Sequence, residues 1–259
     1  MHPVLIRLGG LEIHTYGVLV AVGFLTGIAL AQHRARQAGI PTERIGDLGV
    51  WLIVAAMLGA KLFHIIFFWN DFSAGWRENG LSSLRAGFVF FGGFVGATLT
   101  GIYYIRTKGL PLWKVADAFA PALALGHAFG RLGCFFEGCC YGTACSLPWA
   151  IHYPAPHMLA DVAVHPTQLY EAAGNLAIFA WLATYRKKYD GQVWWLYMMA
   201  YGVLRFTIEF FRGDYSTHAF GVFTSAQYIA VGLVSVALFF QFRFGRARQT
   251  AIDSAPRSR

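Results

Sequence analysis

Seven apolar runs follow one another along this 259-residue chain. Each is close to the ~20 residues that a helix needs to cross the hydrocarbon core of a bilayer. They lie near 15–33, 47–69, 86–105, 115–133, 167–185, 192–211 and 222–242. A water-soluble helical protein would need charged outer faces on its surface helices, and most of these runs carry almost no charge. Only 13% of all residues are charged while 56% are hydrophobic, and mean hydropathy is +0.47, which places the chain in lipid. The pattern predicts an all-α polytopic membrane protein with about seven transmembrane helices. It predicts a single domain over 1–259, a small outward-facing segment at 134–166 between the fourth and fifth spans, and a tail over 243–259.

Basic residues set the orientation. Arg34, Arg36 and Arg44, then Arg106, Lys108 and Lys114, then Arg186, Lys187 and Lys188, then Arg243, Arg246 and Arg248 follow the odd-numbered spans. The alternate loops hold Arg7, Arg77, Arg85 and Arg212, and 134–166 holds no Lys or Arg. The positive-inside rule then puts the N-terminus outside and the C-terminus in the cytoplasm. The first run has no basic region before it and no small-residue cleavage pattern after it, so it is expected to stay as an anchor. The net charge of +8 is accounted for by these juxtamembrane loops, and no nucleic-acid motif competes with that account. No fixed-period repeat, low-complexity tract or pair of broken helices is present.

Charged groups inside a span are costly and therefore informative: Lys61, Arg131, Glu171, Arg205 and Glu209. Tyr201, Arg205 and Glu209 recur every four residues and share one helical face, with Arg212 beyond them. They form either an internal pair that neutralises itself or part of a ligand site. His127 and Arg131 are also four apart and sit near the outer end of the fourth run. Two permanently charged guanidinium forks at that depth suit a phosphate, and a phospholipid headgroup is the simplest such ligand. The clamp requires forks that lipid can reach, not ones sealed against internal carboxylates. For Arg212 the expected role is snorkelling to interfacial water.

The run HPTQLYE at 165–171 opens the fifth span, with Pro166 suited to a first turn and with Gln168 and Glu171 in early helix positions. Glu171 is either a charge favoured by the helix dipole or a substrate contact. Cys134, Cys139, Cys140 and Cys145 match no standard zinc spacing. In an outward-facing segment two disulfides would staple the loop, which is the leading expectation for them.

The sequences GRLGCFFEGCCYG at 130–142, HPTQLYE at 165–171 and YGVLRFTIEFFRGD at 201–214 together resemble the prolipoprotein diacylglyceryl transferase family. Tyr16-Gly17, Gly59-Ala60-Lys61-Leu62 and Gly92-Gly93 with Gly96 extend the resemblance over nearly the whole chain. It implies a bacterial inner-membrane enzyme that moves a diacylglyceryl group from phosphatidylglycerol to the lipobox cysteine of a prolipoprotein signal peptide. Glycerol-1-phosphate leaves, and no metal or cofactor takes part. Residue by residue the resemblance reaches Tyr16, Arg131, Gly142, Tyr201, Arg205, Glu209 and Arg212. Gln168 and Glu171 are added as substrate contacts.

The family's usual asparagine and glutamate fall here on Cys134 and Cys139, and the histidine before the glycine pair of the third span falls on Phe91. With Phe91 unable to take a proton, His127 is the candidate base, with a hydrogen bond between helices as its plainer role. Arg131 and Arg205 would favour the acceptor thiolate and stabilise charge on the departing phosphate. Tyr16 is either a headgroup contact or an interfacial aromatic. Glycines 92, 93 and 96 serve close helix packing or acyl-chain access. The departures leave room for a divergent member with another donor or acceptor, or for a non-catalytic lipid-binding protein.

Overall fold

The N-terminal residues form a hairpin before the first apolar run begins. In the computed structural model, which describes residues 3–9, 11–85, 87–155, 157–214, 221 and 223–253, β1 (Val4–Leu8) pairs antiparallel with β2 (Leu11–His14). Thr15 N then donates to Pro3 O at 2.9 Å, closing the hairpin onto the start of α1 (Thr15–Gln37). The remaining helices are α2 (Thr42–Phe67), α3 (Trp69–Asn79), α4 (Phe90–Thr107), α5 (Leu112–Glu137), α6 (Thr167–Thr184), α7 (Gln192–Glu209) and α8 (Ser225–Asp253).

All of these except α3 overlie the predicted runs. The predicted starts at 86 and 222, and residues 254–259 of the tail, lie outside the described residues. By length and composition four helices can cross a membrane: α1, α2, α5 and the Ser225–Arg246 part of α8. The three other helices on predicted runs, α4, α6 and α7, have 18 residues each. Two of them spend helix positions on polar groups: Gln168, Glu171 and Asn175 in α6, and Arg205 and Glu209 in α7. Leu25, Met57, Leu58, Ile66, Leu99 and Phe242 stand exposed along the helices, a distribution that suits lipid and not water. The chain is a mainly helical membrane protein.

The hairpin and α3 were not expected from the apolar runs. WNDFSAGWREN carries aromatic residues three or four apart, and Phe72 lies 6.0 Å from both the Trp69 and the Trp76 rings. With no buried residue it has the character of a helix lying in an interface.

The chain gathers into two compact units. In the unit of residues 32–115, α2 and α4 meet through glycines. A Cβ on Gly59 would lie 2.4 Å from Gly92 O, and one on Gly96 would lie 2.6 Å from Ala55 O. Tight packing is therefore what these glycines do. In the same unit Lys61 Nζ donates to Ser83 O at 3.0 Å and stands over the Phe72 and Phe88 rings, which satisfies a cation that sequence alone left unexplained.

The other unit, residues 1–31 and 116–259, has a core of Ala120 and Ala124 from α5, Ile178 and Leu182 from α6, and Val193 and Tyr197 from α7. Small alanines on α5 leave room for the larger side chains facing them. Asp117, buried on α5, organises the start of α7. Its Oδ2 accepts from Lys187 Nζ and Gly191 N, both at 2.9 Å, and its Oδ1 accepts from Trp194 N at 3.1 Å. A carboxylate supplied from another helix thus does the work of an N-cap, since Gly191 has no side chain to offer. At the other end of α7, Gly142 N donates to His165 O, Thr143 N to Phe211 O and Gly213 N to Tyr141 O, at 3.0, 2.8 and 3.1 Å. These strand-like bonds tie the segment after α5 to the beginning of α6 and the end of α7.

Candidate active site

Helical spacing puts His127, Arg131 and Cys134 on one face of α5, and Tyr201, Arg205 and Glu209 on one face of α7. Glu171 rises between them from the second turn of α6, with its side chain only 1% exposed. Its Oε1 lies 3.1 Å from Arg131 Nη2 and 3.5 Å from His127 Nε2. Arg131 Nε reaches His127 Nε2 at 3.3 Å, and Arg131 also hydrogen-bonds Tyr201. The His127 and Tyr201 rings are 5.0 Å apart, and the charges of Arg131 and Arg205 both act on His127. The structure therefore brings His127, Arg131, Glu171, Tyr201 and Arg205 into one cluster.

The guanidinium groups do not stand bare. Arg205 Nη2 meets Glu209 Oε2 at 2.7 Å, which realises the internal pair of the two sequence alternatives. Glu209 Oε1 in turn accepts from Thr224 Oγ1 at 2.8 Å. Arg212 does not snorkel: its side chain is 5% exposed and forks onto Asp214, with Nε to Oδ1 at 2.9 Å and Nη2 to Oδ2 at 2.6 Å. A bidentate partner two residues away outcompetes water for that cation. Arg131 and Arg205 are less enclosed, at 15% and 13% side-chain exposure. A guanidinium carries five donors, more than one carboxylate can accept.

Tyr16 is exposed, and a Cβ on Gly133 would lie 3.0 Å from its ring, so this glycine lets the start of α1 sit against the end of α5. Gln168 is buried and holds the chain: its Nε2 donates to Cys139 O at 2.7 Å and to Tyr153 Oη at 2.8 Å. Gly142 supports the site through backbone contact. A Cβ there would lie 2.5 Å from His165 Cβ, 2.6 Å from His165 O and 2.7 Å from Phe211 O.

The expected pair of disulfides does not form, because all four cysteines are free. The chain turns at Gly138, with φ of 84°, and at Cys140, with φ of 62°. That turn gathers the sulfurs of Cys134, Cys139 and Cys140 within 4.8 Å of one another. Cys145 lies outside that group, on an extended stretch where its N donates to Ala163 O at 2.9 Å.

Asp117, Asn175, Asp214 and Thr224 were missed by sequence reasoning. Thr224 was legible: Thr224-Ser225-Ala226-Gln227 is a capping box, and Thr224 N to Gln227 Oε1 at 3.0 Å and Gln227 N to Thr224 Oγ1 at 3.3 Å are its reciprocal bonds.

The family model for prolipoprotein diacylglyceryl transferase matches residues 3–243. The phosphatidylglycerol–prolipoprotein diacylglyceryl transferase of Finegoldia magna is 34% identical over 248 residues, covering 94% of this chain and 96% of that protein. The protein of that name from Clostridium tetani is 31% identical, covering 96% and 100%, and that from Thermosynechococcus vestitus is 34% identical, covering 90% and 88%. A match spanning both compact units, with the ion-paired cluster of α5, α6 and α7 built from its motifs, means that this chain belongs to the prolipoprotein diacylglyceryl transferase family.

Proposed function

We propose that this chain transfers the diacylglyceryl group of phosphatidylglycerol to the lipobox cysteine thiol of a prolipoprotein signal peptide. The observation that carries the reading is the cluster of Arg131, Arg205, Tyr201, His127 and Glu171 on three helices of a chain whose relatives bear that activity's name. The protein works in the bacterial cytoplasmic membrane, with seven spans, the N-terminus and the 134–166 segment outside, and the C-terminus inside. This orientation rests on the basic loops.

The forks of Arg131 and Arg205 grip the headgroup phosphate, with Glu171 and Glu209 holding them in place between turnovers. Tyr16, near Arg131, and Tyr201 orient the headgroup and the acceptor through their hydroxyls. Gln168 acts by fixing the 139–140 backbone, and Gly142 and Arg212 by fixing the strand-like junction. The acceptor thiol gives its proton to His127, whose Nε2 is freed as Arg131 turns its fork from the ring to the phosphate. The thiolate sulfur then attacks the glyceryl carbon that bears the phosphate oxygen. The C–S bond forms as the C–O bond breaks, and the electron pair leaves on glycerol-1-phosphate, where the guanidinium groups stabilise it.

Purified protein in detergent, given phosphatidylglycerol and a lipobox peptide, tests the reading by mass spectrometry. A mass gain of one diacylglyceryl unit on the peptide cysteine is expected. Lipid binding without turnover would instead establish a non-catalytic lipid-binding protein. A second reading, favoured by Phe91, Cys134 and Cys139 where the family pattern has polar residues, is a divergent member with another donor or acceptor. Turnover with a different phospholipid and none with phosphatidylglycerol would establish it.

A further inference from the structure

We propose that Cys134, Cys139 and Cys140 form a three-thiolate site for a borderline-soft divalent cation of the Zn²⁺ type, with its fourth position open to a thiol from outside the chain. The thiol part of the proposal rests on the reading of the protein as a transferase to cysteine.

The geometry is that of a ligand set. All three sulfurs lie within 4.8 Å of one another. Tetrahedral Zn–S bonds of about 2.3 Å put sulfurs about 3.8 Å apart, so closing on a cation asks for a shift of an ångström or less. Three mutually adjacent thiols suit one cation better than a disulfide, which would use two and strand the third.

The backbone is arranged to aim them. Cys140 is the one non-glycine residue with positive φ among the described residues, a conformation disfavoured for an L side chain. It is held there by Thr167 Oγ1, which donates to Cys140 O at 2.8 Å, while the buried Gln168 donates to Cys139 O at 2.7 Å. Cys134 belongs to the last turn of α5, where Gly138 N and Cys139 N both donate to its carbonyl, at 3.0 and 3.2 Å. Two side chains at the start of α6 and the end of α5 thus hold all three cysteines, as supporting hydrogen bonds do around metal ligands.

The electrostatics and the open position agree. Three thiolates and a divalent cation carry one net negative charge, and the charge of Arg131 reaches both Cys134 and Cys140. Among the described residues no His, Asp or Glu completes the group, so the fourth position is left for water or a ligand. An incoming thiol R–SH would displace that water, form a sulfur–metal bond and give its proton to His127, the base of the proposed transfer, and is then held as the thiolate that the transfer requires.

The experiment is metal analysis of the full chain purified in detergent, loaded with Zn²⁺ and dialysed, followed by Co²⁺ substitution. One Zn²⁺ per chain is expected in the wild type and in Cys145→Ser, with loss in Cys134→Ser, Cys139→Ser and Cys140→Ser. The Co²⁺ protein should show sulfur-to-cobalt charge-transfer absorption, which needs no variant to read. That absorption should change on adding a lipobox peptide but not its Cys→Ser counterpart. Substoichiometric metal in the wild type, equal loss in Cys145→Ser, or a Cys–Cys disulfide found by mass spectrometry overturns the site. An unchanged cobalt spectrum with the cysteine peptide overturns the open thiol position. None of these readouts uses transferase activity, so the metal site and the transferase reading can fail separately.

Discussion

Gly142→Ala should cripple the protein although Gly142 touches no substrate. Its new methyl would lie 2.5–2.7 Å from His165 Cβ, His165 O and Phe211 O, and two of these three are backbone atoms that cannot rotate away. To reach ordinary contact the segment must move, and the bonds at stake are Gly142 N to His165 O and Thr143 N to Phe211 O. Overpacking costs about 1–3 kcal/mol, and each lost backbone bond about 1 kcal/mol. A total of roughly 2–5 kcal/mol is a large part of a stability of about 5–15 kcal/mol. The same junction ties the beginning of α6, which carries Glu171, to the end of α7, which carries Arg205, so activity should fall with stability. Gly130→Ala is the control: its methyl would meet nothing within 4 Å, and inside α5 alanine is the better helix former. Thermal unfolding in detergent alongside peptide lipidation measures both variants. A Gly142→Ala protein that melts and turns over like wild type would refute the reasoning.

Arg131→Lys and Arg205→Lys should each reduce the lipidation rate at least about tenfold, because an ammonium cannot hold a carboxylate on one edge and a phosphate on another; near wild-type rates in both would end the phosphate-grip proposal. His127→Gln should slow turnover while leaving phosphatidylglycerol affinity in a binding assay near wild type, and unchanged turnover would move the base elsewhere. Asp117→Ala should lower the melting midpoint by removing two backbone hydrogen bonds at the start of α7 and the Lys187 ion pair. Burial pulls the Lys187 ammonium down, but its hydrogen bonds to Asp190 and Asp117 outweigh that and raise it above its ordinary 10.5. That contribution to stability should be whole below about pH 10.5 and fade as pH climbs through the raised value. The gap between the melting midpoints of wild type and Asp117→Ala should therefore narrow in strong alkali but not close, because the bonds from Gly191 N and Trp194 N persist.

Helix positions were legible because each apolar run is long, and the site's helices were legible because a charge in such a run is conspicuous. Arg205 and Glu209 announced their pairing by four-residue spacing, and His127 and Arg131 their shared face. Partners from distant sequence were not legible. Nothing in the sequence joins Glu171 to Arg131 across 40 positions, or Asp117 to the start of α7, since burial of a pair is a property of three-dimensional packing. Arg212 was misjudged because the local sequence offers two acceptors, water and Asp214, and only the fold shows which is nearer. The cysteines were misjudged for a related reason. Their spacing says how far apart they are along the chain, whereas the turn at Gly138 and Cys140 decides where the sulfurs point.

The carboxylates beside the arginines look at first like competitors of a phosphate, yet the charge count within the cluster argues otherwise. Arg131, Arg205 and Arg212 are matched by Glu171, Glu209 and Asp214, so with His127 neutral the ion pairs sum to zero. An empty site in a low-dielectric bundle must be near neutral, because an unmatched buried charge costs several kcal/mol. A phosphodiester headgroup then adds one negative charge. A proton passed from the acceptor thiol to His127 puts a positive charge 3.5 Å from Glu171 and beside Arg131 and an equal negative charge on the sulfur, so the net charge of the loaded site does not change. What the reaction changes is where the negative charge sits, since it passes from the sulfur to the departing phosphate oxygen, on the side of the guanidinium groups. Carboxylates that temper the hold on the bound lipid, beside guanidinium groups that gain most when charge reaches the departing oxygen, are what selective stabilisation of the transition state requires.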